Sequence, residues 1–162
     1  GAAGRAMISS GEVFFLNPAS SGELRQQAIF LNRNIRVLAS GLGCAYVACE
    51  PPVPTEEEDH QPSTVWKFQA DSQEPQRCPE FDVVEGRIRE IGIGEKHLVV
   101  LTEDGVVYTR GAATFGCLGH GGAREAPEFT AVPALEGKRV RSVAAGPYYS
   151  IAITETGDVY SW

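Results

Sequence analysis

The sequence lacks several features that mark particular classes of protein. It has no apolar run near the roughly 18 residues of a membrane-spanning helix, and its first residues have neither the basic start nor the apolar stretch of a secretory signal. Lysine and arginine number 14 against 21 acidic residues, and this net charge of −7 argues against a grip on nucleic-acid phosphates. The four cysteines form no Cys-x-x-Cys pair, so a disulfide framework is not expected. We expect an intracellular protein, cytoplasmic or nuclear, that contacts no membrane and binds no nucleic acid through this segment.

What the sequence does contain is a glycine-anchored repeat. Residues 88–94 and 98–108 have the same pattern as residues 140–146 and 150–160, and Gly94 and Gly146 are 52 positions apart. A weaker copy ends its first segment at Gly41, 53 positions before Gly94. Short strands in a repeat of this length cannot bury their own faces, so consecutive copies must stack against each other.

An aromatic residue recurs in the third strand of each copy, and the four are Phe14, Trp66, Tyr108 and Tyr160. The chain therefore opens inside one repeat, contains two, and stops inside a fourth. Residues 1–34 are the degenerate end of one repeat with its connection, and residues 35–87 are a divergent repeat with an acidic hairpin insertion at 50–64. Residues 88–139 form a complete repeat, and residues 140–162 the first part of a further repeat.

Within each copy, the local pattern predicts β-structure. Residues 97–101 and 149–153 are short, β-favouring and apolar on both faces, which is typical of a strand between two packed layers. Acidic residues followed by Gly105 or Gly157 then predict a tight hairpin. Residues 79–81 and 127–129, both Pro-Glu-Phe, suggest an outer fourth strand. With 18 glycines, 10 prolines and no helical periodicity of convincing length, the chain is expected to be all-β.

These copies resemble the repeats of the regulator of chromosome condensation family. The residues that carry the resemblance are the strand ending at Gly146, the hairpin at 101–108, the aromatic strand at 159–162 and the loop Phe-Gly-Cys-Leu-Gly-His-Gly at 115–121. The resemblance implies a β-propeller of four-stranded blades, usually seven in the ring. It covers residues 30–162 well, although the earlier copies lack the glycine-leucine-glycine loop.

The length of the chain is too small for a whole ring. Propellers carry about 4 to 8 blades, and at roughly 52 residues a blade the smallest would need about 208. The chain begins without methionine and ends on an aromatic strand, so we expect an excerpt of a longer protein. One expected partner is therefore the rest of its own propeller.

No motif in the chain predicts catalysis, a cofactor or a metal. Cys117 and His120 are spaced like half of a zinc site, but a structural site needs four ligands and no second pair lies nearby. His97 occupies the repeat position of Cys44 and Tyr149, and three unlike side chains in one position favour packing over a general base. The glycines near residue 119 lack the Lys-Ser/Thr ending of a phosphate loop.

The sequence therefore favours a non-catalytic platform for protein–protein interaction, because a rigid ring can vary its rims freely. The resemblance implies two alternatives. One is guanine-nucleotide exchange on a small GTPase, and the other is the substrate-recognition arm of a ubiquitin ligase.

The candidate partner-binding residues lie in the insertion of the divergent repeat, where prolines bar regular strand pairing and consecutive acids repel one another. They are Glu56, Glu57, Glu58, Asp59 and His60. The functional hypothesis is an acidic docking element for a basic surface, and the alternative is a tolerated insertion without a partner.

Overall fold

The computed structural model describes residues 34–50, 63–69, 74–122 and 124–162, together with the backbone of three short strands before them. All of the regular structure in this part of the chain is strand or short 3₁₀ turn, which confirms the all-β prediction. None of the helical turns in the described ranges has the length or the apolar character needed to cross a membrane.

The strands form four antiparallel sheets, each built from strands that follow one another along the chain. The first sheet contains β1 (Ala6–Ser9), β2 (Glu12–Leu16) and β3 (Leu24–Gln26). The second contains β4 (Asn34–Gly41), β5 (Cys44–Glu50), β6 (Thr64–Gln69) and β7 (Gln76–Arg77). The third contains β8 (Ile88–Ile93), β9 (His97–Thr102), β10 (Val107–Gly111) and β11 (Ala126–Ala131). The fourth contains β12 (Val140–Ala145), β13 (Ser150–Thr154) and β14 (Val159–Ser161).

The four recurring aromatic residues lie on corresponding strands. Phe14, Trp66, Tyr108 and Tyr160 belong to β2, β6, β10 and β14, which are the strands that pair with β1, β5, β9 and β13. Sheets of this kind, repeated in order along the chain, are the blades of a partial β-propeller.

One of the two predicted outer strands is wrong. Residues 127–129 lie in β11 as expected, but the identical tripeptide at Pro79–Phe81 is a 3₁₀ turn, and β7 is the outer strand of its sheet. The counterpart of the turn Pro79–Phe81 in the next repeat is the 3₁₀ turn Pro133–Leu135. The physical reason is long-range packing, since the turn places the Phe81 ring 5.7 Å from Tyr46 and 4.7 Å from Phe129, which reaches the same apolar layer from β11.

Successive sheets stack through apolar side chains. The layer between the second and third sheets includes Tyr46, Ala48, Phe81, Ile88 and Val100. The layer between the third and fourth sheets contains Val99, Leu101, Val107, Val132, Leu135, Val140 and Ala152. At the edge of these layers, Glu90 Oε2 on β8 accepts hydrogen bonds from the Val143 N–H at 2.8 Å and the Ser142 hydroxyl at 3.1 Å on β12.

Leu101 and Ile153 occupy equivalent positions, opposite Val107 and Val159 in their hairpins. Leu101 is completely buried because its face of the third sheet is covered by the fourth. Ile153 is only half-buried in this chain. Among the described residues, no further sheet covers its face.

Candidate interaction surface

The sheets present two ends to solvent. Rim A carries the turns β4–β5, β8–β9 and β12–β13, at residues 42–43, 94–96 and 146–149, and the part of the β10–β11 connection at residues 112–122. Rim B carries the turns β9–β10 and β13–β14, at residues 103–106 and 155–158. Loops and turns held by a rigid scaffold are where binding residues concentrate, so both rims are candidates.

On rim A, two of the repeated glycines have the same structural role. The Gly94 N–H donates to the His97 carbonyl at 2.9 Å, and the Gly146 N–H donates to the Tyr149 carbonyl at 2.9 Å. The ring three residues later folds over each glycine so closely that a Cβ there would overlap it. Glycine is therefore required at both positions by a close approach, and the predicted equivalence is confirmed for this pair.

Gly41 fits the same scheme with a smaller partner. Its carbonyl accepts a hydrogen bond from the Cys44 thiol at 3.2 Å, and a Cβ on Gly41 would come no closer than 3.4 Å to its neighbours, the nearest being Ile93. The position three residues after the glycine therefore accepts Cys44, His97 or Tyr149, as the sequence indicates, but only the rings require glycine beneath them.

His97 is a buried link between sheets rather than an accessible base. Its Nε2 lies 3.0 Å from the hydroxyl of Ser150 on the fourth sheet, and that hydroxyl donates to the Cys117 carbonyl at 2.8 Å. Because the serine has one proton to give, Nε2 must carry the imidazole hydrogen and donate it. Burial lowers the pKa of His97, which keeps the ring neutral.

Cys117 and His120 do not act as a pair. The Cys117 thiol donates to the Ala112 carbonyl at 3.3 Å, and burial raises its pKa. His120 Nε2 lies 2.9 Å from the Thr109 hydroxyl, which itself donates to the Leu118 carbonyl at 2.7 Å. Within the described ranges no three His, Cys, Asp or Glu side chains converge as metal ligands would. Both residues fasten the glycine-rich loop to the third sheet.

Two apolar side chains on rim A stand outward from unfavourable backbone conformations. Leu42 has φ 50° and is 62% exposed, and Phe115 has φ 56° and is 83% exposed. They are the two non-glycine residues with positive φ in the described part of the chain. This left-handed conformation costs a non-glycine residue roughly 1–2 kcal/mol. Such strain at an exposed apolar side chain is a reason to look for function there.

An aromatic pair connects this loop to the fourth sheet. The rings of Phe115 and Tyr148 meet edge to face with their centroids 5.6 Å apart. Tyr148 and the adjacent Tyr149 are both about half exposed, at 43% and 51%. Aromatic side chains that remain accessible are frequent anchors in protein interfaces.

Beside these residues, a cleft of about 420 Å³ opens between the second and third sheets. Its charged lining is Lys67, Lys96 and Arg110 against Glu80 and Glu95. Arg110 Nη1 lies 3.3 Å from Glu80 Oε1, and Lys67 Nζ lies 5.8 Å from the centre of the Tyr46 ring. The lining therefore has an excess of one positive charge in a chain whose net charge is −7.

On rim B, part of the positive charge is paired with glutamates of the same chain. The first strand of each of the last three sheets has a β-bulge, and the bulged arginine has no partner in the strand pairing. These arginines are Arg36 in β4, Arg89 in β8 and Arg141 in β12. Arg36 Nε lies 2.8 Å from Glu50 Oε1, and its Nη2 lies 3.7 Å from Glu103 of the next sheet.

The predicted docking residues Glu56, Glu57, Glu58, Asp59 and His60 lie outside the described residues. The strands that they connect, β5 and β6, pair with each other as the predicted hairpin requires, and the pair reaches rim B at Cys49 and Thr64. Sequence reasoning missed Leu42, Phe115 and Tyr148. A signal for two of them was available, since Leu42 and Phe115 each stand directly before a glycine in a turn.

Comparison with known proteins finds a repeat family that part of this chain matches. The sequence model described as "Regulator of chromosome condensation (RCC1) repeat" matches residues 104–153. RCC1 domain-containing protein 1 of Mus musculus is 40% identical over 76 residues, a match that covers 47% of this chain and 20% of that protein. The Homo sapiens E3 ubiquitin-protein ligase HERC2 is 38% identical over 72 residues, covering 44% of this chain and 2% of that protein. The chain therefore spans about a fifth of the length of the first of these relatives and a much smaller share of the second.

Solved structures have the same fold at low sequence identity. Human WBSCR16 matches with a TM-score of 0.67 and 18% identity, over 93% of this chain and 42% of that chain. Prp20p of Saccharomyces cerevisiae, described with its binding properties to Gsp1p and histones, matches with a TM-score of 0.59 and 21% identity, over 93% of this chain and 39% of that chain.

Proposed function

We propose that the chain, of which residues 104–153 match the regulator of chromosome condensation repeat, forms one arc of a propeller that serves as a non-catalytic protein–protein interaction platform. The observation that carries the proposal is the outward display of Leu42 and Phe115 on rim A at a cost in backbone strain. A side chain that only needed solvation would not be apolar, and a turn that only needed to close would use glycine or asparagine there.

The chemistry of the buried polar residues supports a non-catalytic role for this segment. His97 is held neutral in an inter-sheet hydrogen bond, and burial raises the pKa of the Cys117 thiol, which makes it a poor nucleophile. The rest of the parent propeller is the first partner, and a second, intracellular protein would bind the rims.

Site-specific photo-crosslinking in the full-length parent protein tests the platform directly. A photoreactive phenylalanine analogue at position 115 or 148, on rim A, or at position 106, on rim B, should form adducts with another protein when the cells are irradiated. If every position on both rims gave only intramolecular products, the platform proposal would fail.

Guanine-nucleotide exchange is the second candidate, and the likeness to Prp20p, described with its binding to Gsp1p, favours it. The parent protein should then accelerate nucleotide release from a small GTPase. A release rate equal to the uncatalysed rate across a panel of these GTPases argues against this candidate alone.

The third candidate is substrate recognition for a ubiquitin ligase, and the partial identity with HERC2 favours it. This role requires a catalytic ligase domain elsewhere in the parent chain. Transfer of ubiquitin by the full-length protein, lost when its rims are mutated, would distinguish it from a simple platform.

A further inference from the structure

We propose that rim A binds an acidic peptide segment of a partner protein, with a carboxylate of the peptide in the cleft near Lys96 and its apolar neighbours against Leu42 and Phe115. The proposal rests on the proposed function and gives it a surface and a partner chemistry.

The first argument is the coincidence of strain and exposure. Leu42 and Gly43 have φ values of 50° and 76°, the two positive values of a type I′ turn, in which asparagine is the preferred first residue. Phe115 and Gly116 repeat this arrangement, with φ values of 56° and 81°. At both turns a large apolar side chain stands where a small polar one would be more stable. In the described ranges this combination occurs twice, both times on rim A.

The second argument is charge. Glu80 accompanies Arg110 in the cleft, so this guanidinium is partly neutralised from within the chain. The side chain of Lys96 is exposed at the mouth of the cleft and has no carboxylate within ion-pair distance among the described residues. Glu95 also lies at the mouth, so the local excess is one positive charge. An acidic ligand is favoured here even though the chain as a whole is acidic, because screening limits the reach of distant charges.

The third argument is continuity between the cleft and the aromatic pair. The Lys96 carbonyl accepts a hydrogen bond of 2.9 Å from the Ala112 N–H, which is where the segment leading to Phe115 leaves β10. The neighbouring Glu95 N–H donates to the Pro147 carbonyl at 3.0 Å, directly before Tyr148. Leu42 lines the other side of the same cleft. One extended peptide can therefore contact Leu42, the cleft and the Phe115–Tyr148 pair along a single rim.

Rim B is a poorer candidate for an acidic ligand. Two of its arginines are already engaged by carboxylates of the same chain, Arg36 by Glu50 and Arg139 by Glu155 at 3.5 Å, and neither of the two exposed apolar residues with positive φ lies there. A peptide would have to displace these ion pairs to bind there.

The test uses the full-length parent protein and a random peptide library displayed on phage. We expect the enriched peptides to carry Asp or Glu beside Leu, Ile or Phe. One enriched peptide is then synthesised with a fluorescent label, and its affinity is measured by fluorescence polarisation against the parent protein and three variants on rim A: Lys96→Glu, Phe115→Gly and Leu42→Asn. The matched control is Arg141→Glu, which reverses an exposed positive charge on rim B.

We expect each rim A variant to weaken the acidic peptide by about tenfold or more, and Arg141→Glu to change its affinity less than about twofold. Phe115→Gly and Leu42→Asn suit their turns better than the native residues, so both should keep or raise the melting temperature while binding is lost. A loss of peptide affinity without a loss of melting temperature would show that the variants remove contacts with the peptide and leave the fold intact. Affinity for the peptide should also fall as salt rises in the parent protein, and less steeply in Lys96→Glu.

Three outcomes overturn the proposal: enrichment of basic or uncharged peptides, no enrichment at all, or an acidic peptide that binds all the variants on rim A as tightly as the parent. If that peptide instead loses affinity on Arg141→Glu, the chain remains an interaction platform and only the assignment to rim A fails. The platform itself fails only if the photo-crosslinking on both rims is also negative.

Discussion

His97 and Ser150 lie on neighbouring sheets and are joined by a hydrogen bond of 3.0 Å in which the imidazole Nε2 donates. The Ser150 hydroxyl passes its own proton on to the Cys117 carbonyl, so one polar chain crosses from β9 to β13 and then to the glycine-rich loop. The imidazole Nδ1 is buried and finds no hydrogen-bond partner in the described part of the chain. A proton added to this ring would therefore place a charge in a buried site, at a cost that the Tyr149 backbone offsets only in part.

Stability should depend on pH through His97. The pKa of His97 in the folded protein lies below its unfolded value of about 6.5. The stabilisation of the folded state by the neutral ring is therefore fully present above about pH 6.5. It is lost as the pH falls below that value, because the unfolded state then gains a proton that the folded state does not. Denaturant unfolding of the parent protein at pH 5.5 and 7.5 should show this loss. In His97→Asn the loss should shrink, while the control His120→Asn should keep it. Equal pH dependence in His97→Asn and the parent would contradict the assignment.

Leu101→Ala should destabilise the parent protein by about 2–5 kcal/mol, because it leaves a cavity between the third and fourth sheets. Ile153→Ala removes the equivalent side chain, and in the parent protein it should cost a similar amount if a further sheet covers its face as the fourth sheet covers Leu101. Urea midpoints measure both. A negligible change for Leu101→Ala would mean that the sheets do not stack as described.

Gly94→Ala should destabilise the protein by about 1–3 kcal/mol, because the added methyl group meets the His97 ring. Gly41→Ala is the matched control, since its nearest neighbour would lie at 3.4 Å, an ordinary contact. Combining Gly94→Ala with His97→Ser should recover part of the loss. If Gly41→Ala and Gly94→Ala cost the same, the ring contact is not the reason for the glycine.

Phe115→Gly should leave the parent protein as stable as before or stabilise it by about 1 kcal/mol. The relief of the left-handed strain is offset in part by the greater freedom of glycine in the unfolded chain. Thermal unfolding measures the sum. A clear loss of stability would show that the Phe115–Tyr148 contact supports the fold rather than a partner.

The acidic insertion remains a separate prediction. Replacing Glu56, Glu57, Glu58 and Asp59 with serine in the parent should weaken the capture of a basic partner at low salt and matter less at moderate salt, because exposed charge attraction is screened. Photo-crosslinking identifies the partners. Their non-covalent capture by the parent protein and the variant, measured at both salt levels, tests this prediction. Unchanged capture at both levels would leave a tolerated insertion without a partner.

The sequence alone determined the β-architecture and the alignment of its copies. A repeat of 52 positions with apolar strands, hairpin glycines and recurring aromatics leaves stacked sheets as the way to bury both faces. The recurrence of Gly94 and Gly146 is likewise visible in the sequence, but the reason for it, a ring three residues later that folds over each glycine, comes from the structure.

Only the tertiary structure decided features that depend on neighbours distant in sequence. The two Pro-Glu-Phe tripeptides are identical, yet the one at 127–129 is a strand while Phe81 is buried between two other rings in a 3₁₀ turn. Leu101 and Ile153 share a register, but burial depends on whether another sheet covers them. Phe115 reads as an ordinary apolar residue until its positive φ and its exposure are seen together, because the side chain that a turn holds outward is set by the backbone and not by the local pattern.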